Sequence, residues 1–236
     1  MNAEFVMERL FQALISGDRV SARSIVAETL EEGVSAEEIA HEVYWPTLEM
    51  IGKLYRADQL TVLAHHTATR LLRSLIDQGQ AQYRQQARNR RKVLMFCGQS
   101  EADELTGLLV ADLIEASGYE VFFGGGGVAN DEILGAVGES RPDVLLMFGS
   151  APSDAPNIRL LVDHIREVGA CPEMQIVVGG GVFNRAAGLA EEVGADLWAT
   201  TPSELLHRMQ AQPERRATPE QRTVGRNRRT TTAKAA

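Results

Sequence analysis

The sequence predicts an α/β protein in two parts, an N-terminal four-helix bundle followed by a doubly wound parallel sheet of five strands. Three observations predict it. Up to about residue 82, apolar residues recur every three or four positions and no alternating run appears, which is the period of helices. From Lys92 onward, short apolar runs of strand length alternate with helical stretches, as parallel strands joined by crossover helices do. Between them, residues 83–92 carry five basic side chains and almost no apolar ones, the composition of a connection. The boundaries so read are 1–82 for the helical domain, 83–91 for a basic linker, 92–211 for the sheet domain and 212–236 for a tail.

Taken in order, Phe5, Leu10, Phe11, Leu14 and Ile15 make the first helical stripe, ended by Gly17 and Asp18. A second helix runs from Arg19 through Ile25, Val26 and Leu30 to Gly33. Ser35 with Glu38 forms a capping box that opens a third, carrying Ile39, Val43, Leu48, Ile51 and Leu54 and kinked or divided at Pro46. The fourth starts near Thr61 and carries Leu63, Ala68, Leu71, Leu72, Leu75 and Ile76. Strands are expected at 93–97, 120–123, 144–148, 175–178 and 196–199, and helices at 104–117, 131–139, 157–168, 185–193 and 203–209.

Composition narrows the class. With 44% hydrophobic residues among 236, the chain can bury a real core. Its two cysteines, Cys97 and Cys171, lack the spacing of a disulfide framework or a zinc site, which fits a reducing, cytoplasmic setting. The acidic start and the lack of a long apolar run predict neither a signal peptide nor a membrane span. Charge is uneven: residues 212–236 hold seven basic and two acidic side chains, +5, so the net −8 leaves −13 on the rest. That tail reads as a disordered, solvated arm. Any nucleic-acid contact is confined to it, and no aromatic residue among its arginines offers base stacking.

The loops after the strands, 98–103, 124–130, 149–154 and 179–184, are where a ligand binds in such a sheet. Glycines at 124–127 and 179–181 leave room for a large flat guest, or serve tight turns. The loop after the first strand, CGQSEADELTG, is not a dinucleotide fingerprint, and no Walker, GxSxG or HExxH sequence occurs. Glu101, Asp103 and Glu104 suit a helix N-terminus, where exposed amides favour acids. His65 and His66, adjacent on one helix, point about 100° apart and cannot both face one site.

The stretches ADELTGLLVADLIEASGYEV (102–121), LLMFGSAP (145–152) and VVGGGVFNRAAGLAEEVGADLWATTPSELL (177–206) resemble the cobalamin-binding module with a helical cap. That module occurs in methionine synthases, corrinoid methyl-carrier proteins and light-responsive cobalamin regulators. The resemblance implies a flavodoxin-like Rossmann domain beneath a helical cap at 1–82, with the corrinoid between them. In the family, an Asp-x-His-x-x-Gly loop ligates cobalt from below, and the displaced nucleotide base enters a slot lined by a serine and paired glycines. Here Gly107 matches the loop glycine, Ser150 the serine, and Gly179 and Gly180 the pair, with Thr106, Ala151 and Gly181 beside them. The family Asp falls on Ala102 and the family His on Glu104, and carboxylate is a poor replacement for a nitrogen donor to cobalt. In GKLYRADQLTVLAHHTATR (52–70), the positions of the cap Trp and the following Glu-His fall on Tyr55, His65 and His66. The resemblance implies His66 as a cobalt ligand from the upper side.

Cobalamin is therefore the expected cofactor. The expected function is a corrinoid-binding module, not catalytic by itself, sensory or regulatory, and read out by a protein partner or by its own tail. One alternative is a corrinoid methyl-carrier subunit of a methyltransferase system; another is a cofactor-free interaction scaffold. With no recognisable helix-turn-helix, transcriptional control would need a partner or the tail.

Overall fold

The computed structural model describes residues 2–222; the part of the predicted tail beyond Arg222, with Arg226, Arg228, Arg229 and Lys234, lies outside the described residues. The described residues form two compact units, 2–88 with Ser100–Gly118, and Asn89–Gln99 with 119–222.

The first unit holds α1 (Ala3–Ser16), α2 (Arg19–Glu31), α3 (Ala36–Ile39), α4 (Trp45–Arg56), α5 (Val62–Gln80) and α6 (Glu101–Ala116). Local chemistry sets the helix ends. The Asp18 carboxylate accepts from the amides of Val20 and Ser21, and the Ser35 hydroxyl and Glu38 carboxylate complete the expected capping box. The third predicted helix divides near Pro46: α3 widens into a π turn over Ala40–Tyr44, and Pro46 sits in the first turn of α4. Proline has no N–H and crowds the carbonyl four residues back, so the ladder shifts register there. Leu10, Leu14, Ile39, Ile51, Leu72 and Ile76 are fully buried.

Residues 83–88, read as the start of a linker, are anchored on this unit. Tyr83 is buried, Arg84 N donates to Glu37, and Gln86 N donates to Ala116 O at 2.7 Å. On α6, burial and the nearby carboxylates of Asp77 and Glu115 push Asp112 up to about 7 from 3.8. Between those values the folded protein holds a proton that the unfolded chain has lost, so stability falls as pH rises from about 4 to 7. Asp112→Asn is expected to raise stability by about 1 kcal/mol at pH 8, after allowance for solvent screening, and to change nothing at pH 4. Thermal unfolding followed by circular dichroism at the two pH values checks this; equal effects at both would show that Asp112 is not the titrating group.

The second unit is built on five parallel strands, β1 (Lys92–Cys97), β2 (Glu120–Gly126), β3 (Val144–Phe148), β4 (Gln175–Gly179) and β5 (Leu197–Trp198), in the order β2-β1-β3-β4-β5. This is the flavodoxin-like order, and the predicted fold class is the one observed. The central strands are buried throughout, so they read as continuous apolar runs. Leu94, Phe96, Leu145, Met147, Ile176 and Val178 pack with Ile133 and Val137 of α7 (Asn130–Ser140) and with Ile158, Leu161 and Ile165 of α8 (Asp154–Val168).

Three sequence expectations shift. β2 continues through Gly126 because a side chain there would collide with the Gly98 carbonyl; only glycine lets the strand pass. The helix expected at 185–193 is two short ones, α9 (Gly181–Arg185) and α10 (Leu189–Val193), with Gly188 at φ +80° between them. After α11 (Pro202–Ala211), the tail expected to be disordered from residue 212 is held as far as Arg222. Gln175 Nε2 donates to Gln212 O at 2.8 Å, Ala217 N to Asp196 at 2.7 Å and Gln221 Nε2 to Ala195 O at 2.9 Å, while Arg222 pairs with Asp163. Arg215 lies over the Trp198 ring at 4.7 Å.

Candidate functional site

In the helical unit, α5 opens with the Thr61 hydroxyl accepting from Ala64 N at 3.1 Å, which sets His65 and His66 on successive faces. His65 is 8% exposed and stacks on Tyr55, ring centroids 4.0 Å apart. Its Nδ1 is buried without a hydrogen-bond partner among the described residues. Burial, and then His66, hold its pKa below the usual histidine value, so the ring is neutral at pH 7. His66 is exposed, its ring 5.9 Å from that of His65. The two thus differ: one imidazole is packed under Tyr55, and the other is open to a ligand.

The first turn of α6 holds the acids that the sequence singled out. The helix begins at Glu101, earlier than the expected residue 104, because the Ser100 hydroxyl caps it by accepting from Asp103 N at 3.0 Å and donates to the Asp103 carboxylate at 2.6 Å. Glu101 and Glu104 pair with α5: Arg70 Nε lies 3.4 Å from Glu101, and Arg73 Nη2 lies 3.8 Å from Glu104. Thr106 turns its hydroxyl back to Ala102 O at 2.7 Å, and Gly107 is buried. The side chain at 104, where the resemblance places the cobalt-ligating histidine, is therefore a carboxylate engaged by a guanidinium.

In the sheet unit, the loop after β3 is fixed by two residues that sequence reasoning missed. Asp154 accepts from Ser150 N at 2.9 Å and Ala151 N at 2.8 Å, and Arg185 Nη2 donates to Ser150 O at 2.6 Å. The signal for Asp154 was a carboxylate three and four positions past two exposed amides. With its backbone committed, Ser150 keeps a hydroxyl that is half-exposed and has no partner among the described residues. Gly180 has φ +96°, and a Cβ on it would lie 2.5 Å from the Gly149 carbonyl. Val182 N donates to that same carbonyl at 3.1 Å. The close approach allowed by Gly180 is between two loops of the chain itself. Gly179 is buried, Gly181 opens α9, and Ala151 is exposed. Where strand order reverses, between the ends of β1 and β3, lies a crevice of about 80 Å³ lined by Cys97, Gln99, Gly127, Asn130, Asp154 and Asn157.

Residues 6–78 match the family model of the B12 binding domain. The match covers the helices α1–α5 apart from their outermost residues, the part whose sequence resembles the cobalamin-module cap. The chain shares its fold with the monomethylamine corrinoid protein of Methanosarcina barkeri, at a TM-score of 0.66 and 17% identity over 86% of this chain and 96% of that one. A cobalamin-binding protein from Desulfitobacterium hafniense DCB-2 aligns at a TM-score of 0.48 and 19% identity, over 86% of this chain and 96% of that one. The methanol:cobalamin methyltransferase complex MtaBC of Methanosarcina barkeri aligns at 0.49 and 13%, over 95% and 84%. No curated protein matches the chain. The resemblance to cobalamin-binding proteins with a helical cap holds, and the B12 binding domain match together with the shared fold supports a corrinoid cofactor.

The residues fit such a group in one respect and not in another. The loop after β3 presents an uncommitted hydroxyl, Ser150, on a rigid backbone, as a donor to a heteroaromatic base requires. Position 104 offers no imidazole. Among the described residues, no group of three or more His, Cys, Asp or Glu side chains could hold a metal ion by itself, and no helix is long and apolar enough to cross a membrane.

Proposed function

We propose that this chain binds cobalamin without a lower protein ligand from α6 and serves as a sensory or regulatory corrinoid module rather than as a methyl carrier. The observation that carries this reading is the Arg73–Glu104 pair at the position where the resemblance puts the ligating histidine. A carrier cycles cobalt between oxidation states, and a nitrogen ligand with an oriented partner tunes that cycle. A module that reports whether its cofactor is bound, or in which state, needs only different affinities in two conformations.

The bound corrinoid would supply a cobalt centre whose ligands exchange. This chain's residues would do the rest: the Ser150 hydroxyl hydrogen-bonds the nucleotide base, Asp154 and Arg185 hold that serine in place, and His66 offers the open imidazole. Arg73 would pair with Glu104, which offers a carboxylate and no imidazole. The partner that reads the state is a protein still to be identified.

A visible spectrum of the protein after incubation with hydroxo-, methyl- or adenosylcobalamin and desalting, in dark and light, tests the reading. Retained colour is expected, and His66→Ala is expected to shift the bands while His65→Ala leaves them in place. Colour with identical spectra for all three proteins would remove His66 as ligand. A colourless protein would leave the interaction scaffold. Methyl exchange between two methyltransferases at wild-type speed would restore the carrier.

A further inference from the structure

A groove in the helical unit, between α2, the start of α3 and the end of α5, involves none of the residues assigned above to the candidate site. Its volume is about 240 Å³. The partly exposed side chains of Val26 and Leu30 flank it, and the nearly buried Ile39, Leu75 and Tyr44 ring make its floor. Among the described residues, Arg23 is the only charged one lining it, and its guanidinium makes no ion pair or hydrogen bond with them. The side-chain amides of Gln78 and Gln82 also line it. A second feature keeps the groove open. Gly79 lies in the last turn of α5, one residue before its end, and a Cβ there would sit 3.8 Å from the Tyr44 ring, an ordinary contact. Neither crowding nor a left-handed backbone demands a glycine at 79, yet any longer side chain would enter the groove.

We propose that this groove binds an aliphatic monocarboxylate of medium chain length, its hydrocarbon against the apolar walls and its carboxylate on Arg23. Charge complementarity selects the head: a single unpaired cation with no carboxylate lining the groove matches one anionic group and leaves a dianion half neutralised. Volume selects the tail. At about 30 Å³ for a group the size of a water molecule, 240 Å³ holds roughly eight such groups. A neutral hydrocarbon would fill the walls and leave the guanidinium unused. The proposal is independent of cobalamin binding, because none of these residues is assigned to the corrinoid.

Isothermal titration of the 236-residue chain with octanoate tests it, with octanol and acetate as comparison ligands. Saturable one-to-one octanoate binding is expected, with octanol weaker by about fivefold to tenfold and acetate not bound. Arg23→Gln, an exposed change, should weaken octanoate by a similar factor and leave octanol as before. Gly79→Leu should abolish binding of both without lowering the thermal unfolding midpoint, since a Cβ at 79 meets only an ordinary contact with Tyr44 and the backbone there is not left-handed. Failure of octanoate to bind the wild-type protein overturns the proposal. So does binding that both variants leave unchanged, which would place it elsewhere, and so does octanol binding as tightly as octanoate, which would remove the anion.

Discussion

Asp196→Ala is expected to cost about 3–5 kcal/mol of folding stability and to release the segment after α11 from the sheet unit. Asp196 is 2% exposed, and its carboxylate satisfies three donors: Ile176 N at 2.6 Å, Ala217 N at 2.7 Å and Arg166 Nη2 at 3.1 Å. One donor belongs to β4, one to the chain beyond α11 and one to α8, so a single side chain ties three parts of the unit together. Its removal leaves amides without acceptors and half-buried Arg166 without its counter-ion, and an uncompensated charge is what makes the loss of one partner costly. Arg166 has little to spare, since burial already holds its pKa below the usual arginine value, with Asp196 the largest opposing influence. Asp196→Asn keeps one oxygen acceptor and should cost less than the alanine variant. Urea unfolding checks both. A loss under about 1 kcal/mol for alanine would mean that water replaces the carboxylate and that the segment is held by Arg222 and Gln221 instead.

The same residues show why parts of the fold were legible in the sequence and others were not. Strands β1, β3 and β4 are buried on both faces, so burial writes itself as continuous apolar runs and each was placed within a residue or so. The capping box at Ser35 and the break at Pro46 were equally plain, because each acts through atoms within four residues. The segment from Gln212 to Arg222 left no such trace. Its ties run from arginine and glutamine side chains to backbone carbonyls such as Val193 O and Ala195 O, and hydrogen bonds of that kind have no periodicity to detect.

The candidate site divides in the same way. Ser150, Gly179 and Gly180 could be found because glycine and serine after a strand are visible in one dimension. Whether a glycine admits a guest or a neighbouring loop cannot be read there. For Gly180, the Gly149 carbonyl answers it: a bulky residue at 180 would break the loop before it could fill a recess. Arg73, the partner of Glu104, stands 31 positions away on another helix. No local pattern joins the two.

Glu104→His should be the largest single change to cofactor chemistry in the chain, adding an imidazole where the resemblance puts one. The position tolerates it. The Arg73 pair being lost is partly exposed and contributes less than about 1 kcal/mol, and α6 is already capped by Ser100. The guanidinium left beside the new ring would disfavour imidazolium and keep the nitrogen free to ligate. The visible bands of the bound cobalamin are expected to move to a histidine-ligated form, with affinity raised on the order of tenfold or more. Adding Ala102→Asp should change this little, although the family motif has Asp two residues before His. In this chain 102 and 104 lie in the first turn of α6, and side chains two apart on a helix diverge by about 200°, so the carboxylate cannot reach the ring. A further shift in the double variant would mean that the first turn of α6 unwinds around the cofactor. An unchanged spectrum for Glu104→His, with cobalamin still retained, would mean that α6 does not present residue 104 to the metal, and the preference for a sensory role over a carrier role would fall with it.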